Sequence, residues 1–550
     1  MRIQLITAVM VSATAIATPA QALPADFKAR ADALLAKSYA ADGPGAQVVV
    51  SERGRVLYRG ARGMADVDSK RPIDETTVFR IGSITKQFAA AVVLQMAAEG
   101  KLKLDDPIAR FLPSYPNGAA ITVQQLLNHT SGIQSYTGIP GWMVESKTNK
   151  AYSTTALIAE FKDMPAVTSP GETFAYNNSG YVLLGALIEA ISGRPWHEEV
   201  ERRLTKPLGL TSLRYGVGEA SVATMAKGHT DFGGTVIPSR LIHMSVPGAA
   251  GALIGSAGDL AKWHDALHHG KVVPAPYYAR MIAPTVLPDG KTEQYGFGIA
   301  PGTLRDVPVV GHGGGIFGFS SDSVYVPSAD VSVTVLTNSD SPPVDTSLVM
   351  SRLAAMAIGK PFEEFTAQPL DAASVMPALG RYQFATAERV LTLVDGKLYA
   401  QRVGGSRLPV LSAGKGRYFY GSADLSWFEL ATDPAGKPVM KFYANGSEKA
   451  EAGKYLGPPP VEAAAVTVPA AMLAAYVGTY STPAGKAAVT SDAGPLMIQL
   501  RGSALPMKAV SLAEFTVDQV AAKVRFVSTA GKVTGIKIEQ GGRTLPGTRD

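Results

Sequence analysis

The 550-residue chain contains no cysteine. That excludes disulfide cross-links and a thiol nucleophile, so stability must come from packing. Charge is sparse too. Asp, Glu, Lys and Arg make up 18% of the residues against 46% hydrophobic, which describes a globular chain rather than a disordered one. Lys and Arg number 52 against 46 acidic residues, a net +6, but the excess is spread thinly, with no long basic run and no interleaved aromatics. It reads as a solvated surface, and no nucleic-acid partner is expected. Long apolar runs are missing beyond the N-terminus. There, Arg2, the mostly apolar stretch Ile3 to Ala17 and Ala20-Gln21-Ala22 form a signal-peptide pattern, too short for a membrane anchor. Cleavage is expected after Ala22, giving a periplasmic or secreted mature chain without a membrane span.

What is present begins with Ser83-Ile84-Thr85-Lys86, which leads into the helix-like run Ala89 to Glu99. A serine at a helix start with a lysine three residues on places hydroxyl and amine on one face. A buried amine there can lose its proton and act as a base on the hydroxyl. The plainer reading of Ser83 is a helix cap. A second segment, Phe174-Ala175-Tyr176-Asn177-Asn178-Ser179-Gly180, carries a Tyr-x-Asn loop ahead of an apolar helix. A phenol near a lysine can shuttle protons, and an amide can hold a carbonyl; alternatively Asn178 or Ser179 caps the helix. A third, Gly311-His312-Gly313-Gly314-Gly315, allows close backbone approach to a ligand, or marks a bend in a strand.

In this order the three segments resemble those of the serine hydrolases of the penicillin-binding protein and class C β-lactamase superfamily. Gly100 to Pro107, Ile121 to Gly132, Ser256 to Trp263 and Tyr295-Gly296-Phe297-Gly298 resemble further blocks of that family. The resemblance covers about residues 35 to 345. It implies Ser83 as nucleophile, Lys86 as its activating base and Tyr176 as proton shuttle to the leaving group. It further implies Asn178 as a residue orienting substrate and Lys86. The N–H groups of Ser83 and Gly315 would form the oxyanion hole, on a substrate-binding strand of His312, Gly313, Gly314 and Gly315. Which of Lys86 and Tyr176 takes the first proton stays open. His312 is a departure: the superfamily's β-lactamases and carboxypeptidases usually carry lysine there. Histidine is mostly neutral at pH 7 and binds carboxylate less strongly.

The implied activity is acyl transfer from a small amide, peptide or ester to Ser83 and then to water, with D-amino-acid amides or peptides first, short-chain esters second and β-lactams third. A silent binding or sensor protein is the alternative of another class. No cofactor and no metal is expected. His264 and His268 have i,i+4 spacing but no further ligand is evident, and a solvated helix face is the expected reading. His129 is read as structural. Tyr136 and Trp142 are candidates for a substrate rim, with core packing equally compatible.

The chain is too long for one core. A helix is predicted over 25–40, a hairpin from Val48-Val49-Val50 and Val56-Leu57-Tyr58, helices through about 80 to 290, then strands at 309–310, 323–326 and 331–336 and a helix over 347–358. The fold class expected is α+β: a β-lactamase/transpeptidase-like catalytic domain, with an antiparallel sheet and a helical subdomain, followed by two small antiparallel β-barrels. The expected boundaries are 1–22 signal peptide, 23–360 hydrolase domain, and lipocalin-like barrels at 371–455 and 469–550. The stretch Gly359 to Asp371 is read as a linker, as is the Pro/Ala run from Gly457 to Ala465. Leu379-Gly380-Arg381-Tyr382 is echoed by Val477-Gly478-Thr479-Tyr480, and Gly436-Lys437 by Gly531-Lys532. Divergent repetition and chance explain these echoes equally well. This three-part layout resembles that of D-stereospecific aminopeptidases.

Overall fold

Two strands are buried along their whole length: β1 (Ala46–Glu52) and β6 (Val331–Thr337). Strands covered on both faces need a run of apolar and β-branched residues rather than alternation, and both have one. They pair antiparallel, Val48 opposite Val335 and Val50 opposite Val333, so the two ends of the catalytic region meet at the centre of one sheet. With β2 (Arg55–Arg62), β3 (Ala300–Leu304), β4 (Val307–Ile316) and β5 (Phe319–Val326), the sheet runs β3-β4-β5-β6-β1-β2. These coordinates are a computed structural model. It describes residues 23–550 except 233, 461–465, 492–494, 501–503, 518, 519, 521, 541 and 542. The expected signal peptide and the last part of the Pro/Ala run lie outside the described residues.

Helices α1 (Phe27–Ser38) and α5 (Thr346–Ala357) pack on one side of the sheet, where Ser320 Oγ meets Thr346 Oγ1 at 2.8 Å. On the other side Val49, Leu336 and Tyr325 join a core that contains α2 (Thr85–Ala98), α3 (Asn178–Ser192) and α4 (Ala257–His268). Helix α2 is apolar nearly all round and buried accordingly. Phe88 stacks on Trp263 with centroids 4.0 Å apart, and Trp263 Nε1 donates to Gln87 Oε1 at 2.8 Å.

Two expectations are corrected here. Tyr136 and Trp142 are 2% and 4% exposed and pack edge to face at 4.7 Å in the core, so neither forms a rim. His264 is not on a solvated face: it is 1% exposed, with its Nδ1 3.2 Å from His268 Nε2, and His268 lies flat on Tyr325 at 4.0 Å. Burial keeps both imidazoles below their ordinary pKa, His264 down at about 4. Among the described residues no group of His, Asp and Glu suited to a metal ion occurs.

The chain divides into two compact units at Pro361/Phe362. In the second, a closed eight-stranded barrel is formed by β7 (Gly380–Gln383), β8 (Glu388–Val394), β9 (Lys397–Arg402), β10 (Arg407–Gly414), β11 (Arg417–Phe419), β12 (Trp427–Thr432), β13 (Pro438–Tyr443) and β14 (Glu451–Gly457). Residues read as a linker contribute to it: Phe365 packs on Phe419 and Trp427, and Gln368 bridges to Ser412.

A second, nearly closed barrel follows: β15 (Gly478–Thr482), β16 (Gly485–Thr490), β17 (Met497–Gln499), β18 (Leu505–Pro506), β19 (Lys508–Ala509), β20 (Glu514–Val517), β21 (Ala522–Thr529), β22 (Lys532–Gln540) and β23 (Arg543–Arg549). The two repeat one plan. In the first, residues 407–410 of β10 pair with β9 and residues 411–414 with β11. In the second, β18 pairs with β17 and β19 with β20, with one residue between them. Gly380 and Gly478 have φ of 158° and 155°. Tyr382 and Tyr480, both 0% exposed, donate to the carbonyls of Ala378 and Tyr476, four residues back in each case. Gly436 and Gly531 turn the β12–β13 and β21–β22 hairpins with φ of 76° and 79°. The sequence echoes therefore fall at equivalent places.

Candidate active site

Ser83 sits in a tight 3-10 turn, Gly82–Ile84, immediately before α2, and its hydroxyl does not cap that helix. Gly82 takes φ +50°, and a Cβ on it would lie 2.9 Å from the Gly315 nitrogen. A Cβ on Gly314 would lie 2.2 Å from the Ile81 oxygen and 3.0 Å from the Ser83 nitrogen. Only glycine at both positions lets the nucleophile turn and β4 touch backbone to backbone. This contact sets the backbone of the Ser83 turn directly against that of Gly314 and Gly315.

Lys86, the second residue of α2, is completely buried. Its Nζ lies 3.0 Å from Ser83 Oγ, 2.9 Å from Asn178 Oδ1 and 2.8 Å from the Ala250 carbonyl. Burial holds its pKa well below the usual ammonium range. The rings of Tyr176 and Tyr181 lie 4.7 and 5.5 Å from the amine.

The Tyr-x-Asn loop is fixed by its own cap. Asn177, not Asn178 or Ser179, caps α3, accepting from Gly180 N–H at 3.1 Å. Asn178 is left to face Lys86, its Nδ2 donating to Thr137 Oγ1 at 3.1 Å. Tyr176 is 42% exposed, at the rim of the site. Its hydroxyl end is nevertheless desolvated, which raises the phenol's pKa, while the nearby Ser83 hydroxyl acts the other way. Ring exposure and the depth of one oxygen are separate quantities, so the two observations are compatible.

His312 lies on β4 at 9% exposure. Its Nε2 is 2.9 Å from Tyr295 Oη and its Nδ1 2.6 Å from the Gly313 carbonyl. Burial, with Lys86 nearby, lowers its pKa to about 4, so the ring is neutral at pH 7. His129 supports this group from below. Its Nδ1 accepts from Asn177 N–H at 3.1 Å, and its ring packs on Tyr176 and Tyr295 at 4.4 and 4.6 Å. The structure thus brings together Ser83, Lys86, Tyr176, Asn178, His312 and the Gly313-Gly314-Gly315 run. Tyr295 was named from sequence only as part of a family block; its position as the partner of His312 depends on the packing of β4 and has no local signal.

The arrangement can present a neutral amine to a serine hydroxyl beside two converging backbone donors. The beta-lactamase family profile matches residues 27–355. A penicillin-binding protein of Bacillus subtilis is 24% identical over 429 residues, covering 73% of this chain and 93% of that protein. A D-aminopeptidase of Gluconobacter oxydans is 26% identical over 332 residues, 58% of this chain and 60% of that protein. A crystal structure of a D-stereospecific amidohydrolase from Streptomyces sp. superposes with a TM-score of 0.52 at 29% identity, covering 60% of this chain and 98% of that one. With the profile spanning more than half of its length, the chain belongs to the beta-lactamase family of serine hydrolases and penicillin-binding proteins.

Proposed function

We propose that the protein is an exported serine hydrolase that cleaves a small amide or ester through an acyl-enzyme on Ser83, with D-amino-acid amides or peptides as the first substrate class. The observation that carries this is the hydrogen bonding of Lys86. A neutral amine has two N–H donors and one lone pair. The Ala250 carbonyl and Asn178 Oδ1 can only accept from it, and they take both donors. The lone pair is then left for the Ser83 hydroxyl.

The phenol of Tyr176 is shifted the opposite way and stays protonated. Both directions support a reading in which Lys86 is the first base and Tyr176 the shuttle. As Ser83 Oγ attacks the carbonyl carbon, its proton passes to Lys86 Nζ. The carbonyl oxygen becomes an oxyanion facing the N–H groups of Ser83 and Gly315. When the C–N or C–O bond breaks, the proton moves from Lys86 through Tyr176 to the leaving atom. Water then attacks the ester, with the same groups working in reverse.

The D-amino-acid preference is supported by the Gluconobacter D-aminopeptidase and the Streptomyces amidohydrolase. Short-chain esters are the second reading, favoured by the neutral His312, which offers no cation to a substrate carboxylate. Among the described residues no helix is long and apolar enough to cross a membrane, which is compatible with export after cleavage at Ala22. Hydrolysis of D-alanine p-nitroanilide and its L-isomer tests the proposal, with Ser83→Ala as control. Cleavage of the D-isomer that disappears in Ser83→Ala is expected. Equal turnover by Ser83→Ala would overturn the nucleophile assignment, and cleavage of esters alone would move the substrate class to the second reading.

A further inference from the structure

We propose that Tyr295 is a positioning residue for the oxyanion strand: its hydroxyl holds the orientation of the His312 imidazole, and that imidazole, through Nδ1–H, clamps the Gly313 carbonyl so that the Gly315 N–H two residues on stays aimed at the reacting oxygen. The inference deepens the acyl-transfer reading and rests on it.

The strand needs such a clamp. β3 pairs with β4 only as far as Ala300 opposite Gly311. From His312 to Ile316 the strand is paired on one side, by β5, and among the described residues has no strand on the other. Three successive glycines occupy this half-paired stretch, and a Cβ on Gly315 would meet nothing within 4 Å. Glycine has the most backbone freedom to lose, so the segment that carries the donor is the one least able to hold itself. Hydrogen bonds from side chains must compensate. Ser321 Oγ reaches the Ile81 and Gly314 carbonyls at 2.9 and 3.3 Å. The shortest of the set runs from the His312 ring to the Gly313 carbonyl, at 2.6 Å.

The tautomer follows from valence. A carbonyl oxygen can only accept, so the proton of the neutral ring is on Nδ1. Nε2 then carries a lone pair, and the group 2.9 Å away, Tyr295 Oη, must be its donor. Tyr295 is 6% exposed, boxed by His129, Phe174 and Tyr176 with ring centroids at 4.6, 5.7 and 5.9 Å. The ring is therefore held in place; its hydroxyl faces the Tyr181 phenol as well as the His312 ring. The titratable groups around the His312 ring are Lys86 from α2, His129 and Tyr176 from the loops beside α3, and Tyr295. Asp322, on β5, lies across the strand near Gly313. None of the four around the ring is a carboxylate that would stabilise an imidazolium.

Deleting the Tyr295 hydroxyl leaves Nε2 buried without a donor. The carbonyl still holds the proton on Nδ1, so the ring relieves this by rotating, which lengthens its hydrogen bond to the Gly313 carbonyl. Loss of alignment at one oxyanion donor acts on the transition state rather than on substrate binding. In Tyr295→Phe, kcat should fall about 10- to 100-fold with KM within about threefold of wild type.

The decisive readout is 15N NMR of the imidazoles in the full chain, with the His312 signals assigned by their loss in His312→Gln. Wild type is expected to show a protonated Nδ1 and a bare Nε2 across pH 6–8, and Tyr295→Phe to keep that tautomer while the Nδ1–H proton moves upfield as its short hydrogen bond lengthens. A wild-type ring protonated at Nε2 would overturn the proposal. So would a folded Tyr295→Phe protein whose Nδ1–H proton keeps its wild-type shift, since Tyr295 would then serve packing only. Tautomer and shift are read without turnover. Failure of the nucleophile assignment, seen as undiminished activity in Ser83→Ala, is therefore a separate result; it would remove the oxyanion role from the clamp as well.

Discussion

The backbone contact between β4 and the nucleophile turn can be tested by adding one methyl group at either of two adjacent residues. In Gly314→Ala the new carbon would stand 2.2 Å from the Ile81 oxygen, 2.5 Å from Ser321 Oγ and 3.0 Å from the Ser83 nitrogen. Ordinary non-bonded separations are about 3.5 Å, so strand and turn must part by roughly 1 Å. The Ile81 oxygen belongs to backbone and cannot rotate away. A displacement of that size costs about 100-fold in rate, and outright loss of an oxyanion donor about 100- to 1000-fold, or roughly 2.7–4 kcal/mol. Gly314→Ala should therefore lower kcat for p-nitrophenyl acetate by two to three orders of magnitude. Gly315→Ala adds the same methyl group one residue later, where nothing lies within 4 Å, so it forces no parting of strand and turn and should leave thermal stability near wild type. Activity of Gly314→Ala is to be compared with wild type at matched folded fraction, checked by near-UV circular dichroism. Full activity in a folded Gly314→Ala would refute the view that this contact builds the oxyanion site.

Activity should fall as pH drops through the lowered pKa of Lys86, because the protonated amine has no lone pair for Ser83; Lys86→Arg, which stays charged, should lose about a thousandfold or more in kcat. Asp322 is pushed up to about 7, chiefly by burial and further by Asp345. A carboxyl raised in the folded state favours folding most below its unfolded pKa and loses that advantage as pH rises towards 7. Asp322→Asn should accordingly match wild type in thermal melts at pH 4 and be the more stable at pH 8, by up to a few kcal/mol by linkage. Trp263→Ala removes a side chain with no exposure and strands Gln87 Oε1; urea unfolding of the catalytic unit should show a loss of about 3–5 kcal/mol.

The meeting of Ser83, Lys86 and Asn178 was legible because it follows from short spacings. Ser83 and Lys86 must share one helical turn, and Asn178 must follow a loop that ends in a cap. The central strands were legible from their valine-rich, β-branched stretches. What escaped was set by distant packing. His264 was expected in solvent because its spacing to His268 drew the reading, although Leu260, Trp263 and Leu267 already mark a buried stripe beside it. Tyr136 and Trp142 sit in a stretch with no regular period, and only the core around them decides their burial. The Tyr295–His312 hydrogen bond joins residues 17 positions apart through the sheet edge, which no local pattern encodes.

The shared plan of the two barrels also bears on how the chain reaches its native state. Each barrel offers strands of the same order, the same bent fourth strand and the same buried tyrosine at its opening. While both are incompletely folded, a strand of one is a geometrically acceptable partner for the neighbours of its counterpart, and tandem similar domains are prone to such exchange. The side chains that fill them differ: Phe384, Phe428 and Phe442 in the first, Phe515 and Phe526 with smaller aliphatics in the second. A swapped strand would carry the wrong volumes into a closed interior, where over- or under-filling is penalised. Divergence between the copies thus acts as a kinetic safeguard, making the hybrid barrel a poor competitor to either native one.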